Sequence, residues 1–408
     1  MRIYNLLSEV GINLFGNTYD ISLNWIGTLI RWLITGVGSV GIGIIIFSII
    51  LKVIVMPFDV YQRISMRKQN LKMKENQARM EKLQKQYAND KDKYNQKVME
   101  MYKESGISMF SSCLPLILSL VIFIVAINAF NAYSQYANVE NYNVLVDAYN
   151  AKVESVCKDL QDDEAYLRYD ETQKVYFFDV DKLYAKEQVK TFVDNAMQAD
   201  ENKTKETAMK EYFINEGQKA VVSAYEAKVL KNTSFLWIKN IWATDASYKH
   251  PVLEFSEFKT EVERQNFQVG DKTTGFAGVA EFTNVYEEDT YKTITAQLTA
   301  QKKQANGYYI LIVLSIGTIL LQQWISMRGQ KEQQMYSSVD GQGASQQKMT
   351  MIIMTGMFAI FSFMYSSAFS IYMIMSNVLT LISTIVINKL VDVVVARKEE
   401  KALLEKYN

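Results

Sequence analysis

Residues 44–58, IIIFSIILKVIVMPF, form an almost unbroken apolar run that carries one ammonium group, Lys52. A charged side chain near a bilayer centre costs roughly 2.5–3.5 kcal/mol on insertion scales, so it is rare unless paired, wetted or functional. The run is not isolated. The apolar residues of this 408-residue chain are gathered into a few dense blocks, the distribution of a membrane protein rather than of soluble domains. About twenty apolar residues cross a hydrocarbon core of about 30 Å, and that ruler divides the chain. It predicts a first span over 38–58, a second over 108–133 and a third over 307–327, the last with Tyr308 and Tyr309 at one interface and Trp324 near the other. The run from Thr350 to Leu390 is about twice the length that one crossing needs, so it reads as spans over 350–366 and 367–390, folded around Tyr365-Ser366-Ser367.

The connecting segments orient these spans. Between Tyr61 and Lys103 there are twelve Lys and Arg and fewer than half as many acids, whereas residues 134–305 carry 29 acids against 21 bases. Positive residues mark short cytoplasmic loops, which places the loop 59–107 inside and the acidic domain 134–306 outside. The amino-terminal segment 1–37 is then external, and the loop 328–349 and tail 391–408 are cytoplasmic. The formal net charge of zero excludes a globally basic nucleic-acid binder. Two cysteines, Cys113 and Cys157, make a disulfide framework improbable, and a single histidine, His250, suggests no metal site. The opening MRIYNLLSEVGINLFGN lacks the pattern of a signal peptide. In LNWIGTLIRWLITGV (23–37), Trp25, Leu29, Trp32 and Leu33 fall at helical spacing, fitting either an interfacial helix or an amphipathic helix packed on protein.

The loop 59–107 is rich in helix formers and is interrupted at YANDKDK, which predicts a hairpin of two helices. Met73, Met80, Leu83 and Tyr87 are placed to face Tyr94, Val98, Met101 and Tyr102. In the external region, AYLRYDETQKVYFFDV (165–180) reads as a β-hairpin, TKETAMKEYFINEGQKAVVSAYEAKVL as one long helix, and FQVGDKTTGFAGVAEF as strand or loop. The fold class expected is an all-α polytopic membrane protein of five transmembrane helices, with a cytoplasmic helical hairpin and an inserted external α+β domain. No nucleophile elbow, phosphate-binding glycine loop or histidine–carboxylate constellation occurs, so no catalytic residue, cofactor or enzymatic activity is expected.

The order of parts resembles the YidC/Oxa/Alb family of membrane protein insertases, in the bacterial type with an enlarged external domain. The resemblance is carried by the cation-bearing span ending at Met56-Pro57, the charged hairpin and GISMFSSCLPLILSLVIF, with Gly106, Cys113 and Pro115 on family positions. SFLWIKNIWATD (234–245) and QQKMTMIIMTGMFAIFSFMYSSAFSIYMIMSN add to it. The family usually has arginine where Lys52 stands, and often a Pro-x-Gly turn where this chain has Ser366-Ser367-Ala368. The resemblance implies an insertase and folding chaperone that captures nascent membrane proteins in a hydrophilic groove and releases their spans into the bilayer. It further implies a multi-pass protein of the bacterial plasma membrane, with lipids, the ribosome and a Sec-type translocon as further partners, and no DNA.

On this reading Lys52 is the groove cation, and Ser48 and Ser119 are hydroxyls near it. Leu120, Phe123, Tyr372 and Met373 form a slide for client helices. Arg63, Arg67, Lys68 and Arg79 provide cytoplasmic recruitment through acidic, lipid or RNA contacts. Each has a plainer reading. Lys52 lies about one and a half helical turns from Pro57 and could snorkel to the headgroups, serines in spans are more often backbone-bonded, and Met and aromatic residues more often pack. A small-ion or solute transporter, or an assembly protein acting through its external domain, is the alternative function; five spans without repeated halves fit a transporter poorly.

Overall fold

The computed structural model describes residues 8–106, 109–161, 165–329 and 342–407, with only the helical backbone described for 109–120, 342–348, 391–392, 394–407 and the single positions 66, 70, 91, 350 and 354. Two compact units are present. One is formed by residues up to Thr28 together with Ala132–Gly307, the other by Leu29–Asn131 together with the chain from Tyr308 onward. Among the described residues, the helices of eight residues or more are α1 (Trp25–Val37), α2 (Val40–Gln86), α3 (Lys91–Glu104), α4 (Met109–Gln161), α5 (Glu187–Ala199), α6 (Lys205–Ala224), α7 (Phe255–Val262), α8 (Ile310–Gly329), α9 (Gln342–Met364) and α10 (Ser367–Tyr407).

In the second unit, α2, α8 and α10 each contain a stretch long and apolar enough to cross a membrane; α1 and the 351–364 part of α9 are apolar but shorter. Their outward faces remain apolar, with Ile49, Val53 and Ile54 on α2, Val313 and Leu321 on α8, Ile352 and Ile360 on α9, and Ile382 and Val386 on α10 all exposed. Such a surface suits hydrocarbon, where the helix satisfies its own backbone. Lipid supplies no hydrophobic force between helices, so polar contacts and close packing join them. The hydroxyls of Ser315 on α8 and Ser362 on α9 lie 2.9 Å apart, Thr355 donates to Gln323 at 2.8 Å, and Asn377 on α10 donates to Thr318 at 3.3 Å. Aromatic rings fill the rest. Phe123 of α4 meets Phe358 edge-on at 4.6 Å and lies near Phe361 and Phe369, while Phe47 of α2 meets Phe130 at 5.5 Å. Only Tyr365 and Ser366 separate α9 from α10, at the turn the length of the run predicts.

Helix α2 runs without a break from the apolar run through Pro57 to Gln86. It then reverses at Tyr87–Asp90 into α3, where Asp90 caps the new helix by accepting from the Lys93 amide at 3.1 Å. Met73, Met80 and Met101 are buried between the two helices, and the Tyr102 hydroxyl donates to Met80 Sδ at 3.4 Å. At the other end of α2, a Cβ added to Gly43 would lie 2.9 Å from the Ile34 Cα, so α1 rests directly on backbone there. This contact buries Ile30, Leu33 and Ile34 and leaves Trp25, Leu29 and Trp32 exposed. Leu33 therefore belongs to the packed face, and the remaining three form the free apolar stripe.

The first unit contains the expected hairpin as β2 (Tyr166–Asp170) and β3 (Val175–Asp179), whose turn is closed by Asp170 accepting from the Thr172 and Gln173 amides, each at 3.0 Å. A strand not anticipated from the sequence, β1 (Glu9–Asn13), adds to it antiparallel, giving the order β1-β3-β2 with Glu9 opposite Asp179 and Asn13 opposite Val175. FQVGDKTTGFAGVAEF forms a second hairpin, β4 (Asn266–Val269) and β5 (Lys272–Gly275), followed by a short helix, Phe276–Ala280. Ile21 bridges to Phe267, so the amino-terminal arm joins both sheets. Helix α6 continues through a π-helical turn, Tyr225–Leu230, to Thr233.

The spine of this unit is the second half of α4. There Tyr133, Tyr136, Val139, Tyr142, Val146, Tyr149, Val153, Val156 and Leu160 recur at spacings of three and four and are all buried. Asn residues interleaved with them are bonded inward. Asn138 donates to Glu261 at 3.2 Å and accepts from Asn240 at 3.1 Å. Glu261 as a residue is half-buried, yet its Oε2 is shut off from solvent with no hydrogen-bond partner. Burial pushes this carboxyl up to about 8, against a smaller opposing effect of the Asn138 bond.

An acid whose folded pKa exceeds its unfolded value costs nothing below the unfolded value. It costs progressively more as pH rises from about 4.5 through about 8. Glu261→Gln is therefore expected to raise the melting temperature of the protein at pH 9, with a stabilisation on the order of 1–3 kcal/mol, and to leave it unchanged at pH 4. Thermal unfolding of the two proteins across that range checks the difference.

Candidate functional site

The apolar run beginning at Ile44 is helical because nothing in it caps or turns before Pro57, and β-branched residues are tolerated where neighbours pack them. Seven residues make about two turns and four make about one, so Lys52, Asp59 and Arg63 lie on one face of α2. That face meets α10. Lys52 Nζ lies 2.6 Å from Asp59 Oδ2 and donates to Thr380 Oγ1 at 3.1 Å. One turn further along, Arg63 Nη2 donates to Thr384 Oγ1 at 3.0 Å, with Asp59 in electrostatic reach. Thr380 and Thr384 are themselves four apart, so two cations and one carboxylate on α2 face a pair of hydroxyls on α10.

The side chains of Lys52 and Asp59 are 11% and 27% exposed, so the pair is largely withdrawn from its surroundings. Desolvating two charges is repaid only when geometry and further hydrogen bonds are good, and loss of one partner strands the other. The Thr380 hydroxyl supplies such a bond. Among the described groups the ladder carries one positive charge in excess, because Asp59 balances only one of Lys52 and Arg63.

The other expected site residues fall differently. Ser48 is buried, but its hydroxyl donates to the Ile44 carbonyl at 2.8 Å and not to Lys52. It satisfies its own helix, as serines in apolar helices tend to do. Phe123, Tyr372 and Met373 are buried as well. Phe123 sits in the ring cluster described above, and Tyr372 lies 5.2 Å from Phe130 and 6.0 Å from Phe369. These three pack within the unit in this conformation. The side chains of Ser119 and Leu120 lie outside the described residues.

Among the basic residues, Arg63 belongs to the ladder with Asp59 and Thr384. Arg79 pairs with Glu104 at 2.7 Å across the α2–α3 hairpin, an exposed bridge of small energetic value. Lys68 is exposed, and Arg67 is half-buried. Among the described residues no group of three His, Cys, Asp or Glu is placed to hold a metal ion. Cys157 is a buried free thiol, held well above its ordinary range by desolvation.

Asp59, Thr380 and Thr384 escape the sequence reading. Asp59 carried a signal, the i, i+7 spacing from Lys52 across Pro57. The two threonines become neighbours only through the packing of α10 on α2.

In the SFLWIKNIWATD segment Asn240, besides its bond to Asn138, is held by Asn306. Asn306 accepts from the Asn240 amide at 2.7 Å and donates to the Asn240 and Thr244 carbonyls at 2.9 and 3.0 Å. A Cβ on Gly307 would overlap Asp245 Oδ1 at 1.8 Å, so only glycine fits beside that buried acid. Phe235 and Ile238 exchange two backbone hydrogen bonds of 3.0 Å around Leu236, which has φ 55° and is 70% exposed.

These features define a helical membrane protein with a charged ladder between two of its apolar helices and a separate mixed unit. Comparison with known proteins sharpens the class. The family described as 60Kd inner membrane protein matches residues 32–215 and 212–394. A "Membrane protein insertase YidC" of Caldanaerobacter subterraneus subsp. tengcongensis is 36% identical over 98 residues, 24% of this chain and 46% of that protein. Proteins of the same name from Fusobacterium nucleatum and Clostridium tetani are 36% identical over 104 residues and 40% identical over 86, covering 49% and 37% of their lengths. The chain thus spans under half the length of these relatives. It belongs to the 60Kd inner membrane protein family, the bacterial branch of the YidC/Oxa/Alb group.

If the Lys52–Asp59 pair is as withdrawn as its geometry indicates, Lys52→Met and Asp59→Asn are each expected to lower thermal stability in detergent, on the order of 3–5 kcal/mol, and the double variant by less than their sum. Unfolding of all four proteins closes the cycle; strict additivity would show no pairing.

Proposed function

We propose that this protein is a membrane protein insertase in which Lys52 attracts the acidic or polar tail of an incoming chain while the apolar helix faces receive the span that follows. The observation that carries the reading is the placement of Lys52: an ammonium inside an apolar helix, facing a hydroxyl-bearing helix, with a second cation, Arg63, on the same face. The names of the relatives support the same activity. At an effective dielectric near 20, a charge pair about 4 Å apart is worth roughly 4 kcal/mol before desolvation, enough to dominate a transient capture.

On this proposal the chain crosses the bilayer five times, over the ranges given by the hydropathy blocks, with the α2–α3 hairpin inside and the mixed unit outside. The hairpin surface around Arg67 and Lys68 meets anionic headgroups, ribosomal RNA or acidic partner segments. Arg79, exposed beside Glu104, adds to this surface. The exposed Trp25 and Trp32 lie at headgroup depth on the outer side.

Insertion of matched clients, one with an acidic and one with a neutral translocated tail, tests the central claim. Lys52→Arg is expected to retain activity on both, because it keeps the charge. Lys52→Met is expected to lose the acidic-tail client selectively, and Lys52→Glu to lose it further. Equal loss on both clients, or loss on neither, would reject Lys52 as the capturing cation. Topology is checked separately: cysteines introduced at Lys85 and Gln173 are expected to label from opposite sides of an intact membrane.

A further inference from the structure

We infer that Asp59 is a specificity-determining residue: an internal carboxylate that occupies Lys52 in place of a client's and sets how acidic a tail must be to displace it. The inference rests on the reading of Lys52 as the cation that receives clients, and it concerns a residue which that reading alone leaves idle.

Three observations carry it. Asp59 Oδ2 is 2.6 Å from Lys52 Nζ, the distance of a strong charge-assisted bond, so in the resting protein the ammonium already has the partner a client would offer. Asp59 is the more exposed of the two, 27% against 11%, so it is the member of the pair that an incoming group can more readily reach. Arg63 lies one turn beyond Asp59 on the same face and is bonded only to a neutral hydroxyl, Thr384, among the contacts described for it. A displaced Asp59 therefore has a second cation within reach and need not be left as a bare carboxylate.

The exchange replaces one carboxylate on Lys52 by another. No bond other than hydrogen bonds is made or broken, no proton changes owner, and the charge of the ladder becomes that of the ladder plus the client's acid. Its thermodynamic form is that of a binding site populated only in part. The apparent affinity for the client is lowered by the fraction of time that Lys52 is free of Asp59, and removing Asp59 removes that factor. A neutral tail does not compete for the ammonium and gains nothing. Asp59 thus raises the threshold for acidic tails, while Thr380 keeps the ammonium in place whichever carboxylate is bound.

The test is the ratio of acidic-tail to neutral-tail client inserted by the full-length protein in the same membrane preparation, so that differences in protein amount cancel. Asp59→Asn is expected to raise this ratio, on the order of threefold or more. Asp59→Glu, which keeps the charge, is expected to hold it near the wild-type value, and Lys52→Met/Asp59→Asn to show the low ratio of Lys52→Met alone. An unchanged ratio in Asp59→Asn would overturn the inference. So would a lowered one, which would assign Asp59 to holding Lys52 charged and in position. Failure of Lys52→Met to discriminate between the clients would strike the underlying reading instead, whereas discrimination by Lys52→Met with a wild-type ratio in Asp59→Asn would defeat this inference alone.

Discussion

An ammonium group in an apolar helix has to be answered by something, and in this protein the answer organises the contact between two helices. Lys52 is held by Asp59 of its own helix and by Thr380 of the last one, and Arg63 repeats the arrangement one step along with Thr384. Removing any one of these groups leaves its partner short of a hydrogen bond in a largely withdrawn place, where an unmet bond costs about 1–3 kcal/mol. The ladder therefore does two things at once. It fixes α10 on α2, and it holds a positive charge within an otherwise apolar stretch of helix. Pro57 lies between Lys52 and Asp59, and because proline donates no amide, one backbone carbonyl of the preceding turn lacks its helical partner there.

Around this contact the helices are joined by small polar pairs and aromatic rings rather than by a hydrophobic effect, which lipid does not supply. Ser315 with Ser362 and Asn377 with Thr318 hold α8 to its neighbours, and Phe123, Phe358 and Phe369 fill the space between α4, α9 and α10. The mixed unit is built on other terms. Its core is the tyrosine- and valine-rich face of α4, and its polar interior is a chain of asparagines, Asn138, Asn240 and Asn306, that ends on the under-satisfied Glu261. Asn306 and Gly307 clasp the segment ending at Asp245 in the last residues before α8 begins.

What could be read in the sequence follows from which interactions are local. Long apolar blocks, the helical hairpin around YANDKDK and the β-hairpin of residues 165–180 rest on hydropathy, helix propensity and turn chemistry, and each appears as a structural element where those signals lie. The continuation of α4 to Gln161 was hidden because its buried tyrosines and valines are interleaved with asparagines that look like loop residues until their partners are known. Strand β1 was hidden because its partner lies far along the chain. In the site, Lys52 announces itself by its setting, and Asp59 was available to a reader of i, i+7 spacing. Thr380 and Thr384 were not, since only tertiary packing brings them to α2. The same packing buries Phe123, Tyr372 and Met373, and the Ser48 hydroxyl turns inward on its own helix.

The central claim is that clients meet the protein at the α2–α10 ladder. A photo-crosslinking residue at Thr380, beside the Lys52 ammonium, measures this directly when a ribosome-stalled membrane protein with an acidic tail is presented to the full-length protein. Adducts from Thr380 to the client's tail are expected, with few from a matched probe at Ile353 on the outward face of α9. Equal adducts from both positions, or adducts from Ile353 alone, would contradict the account.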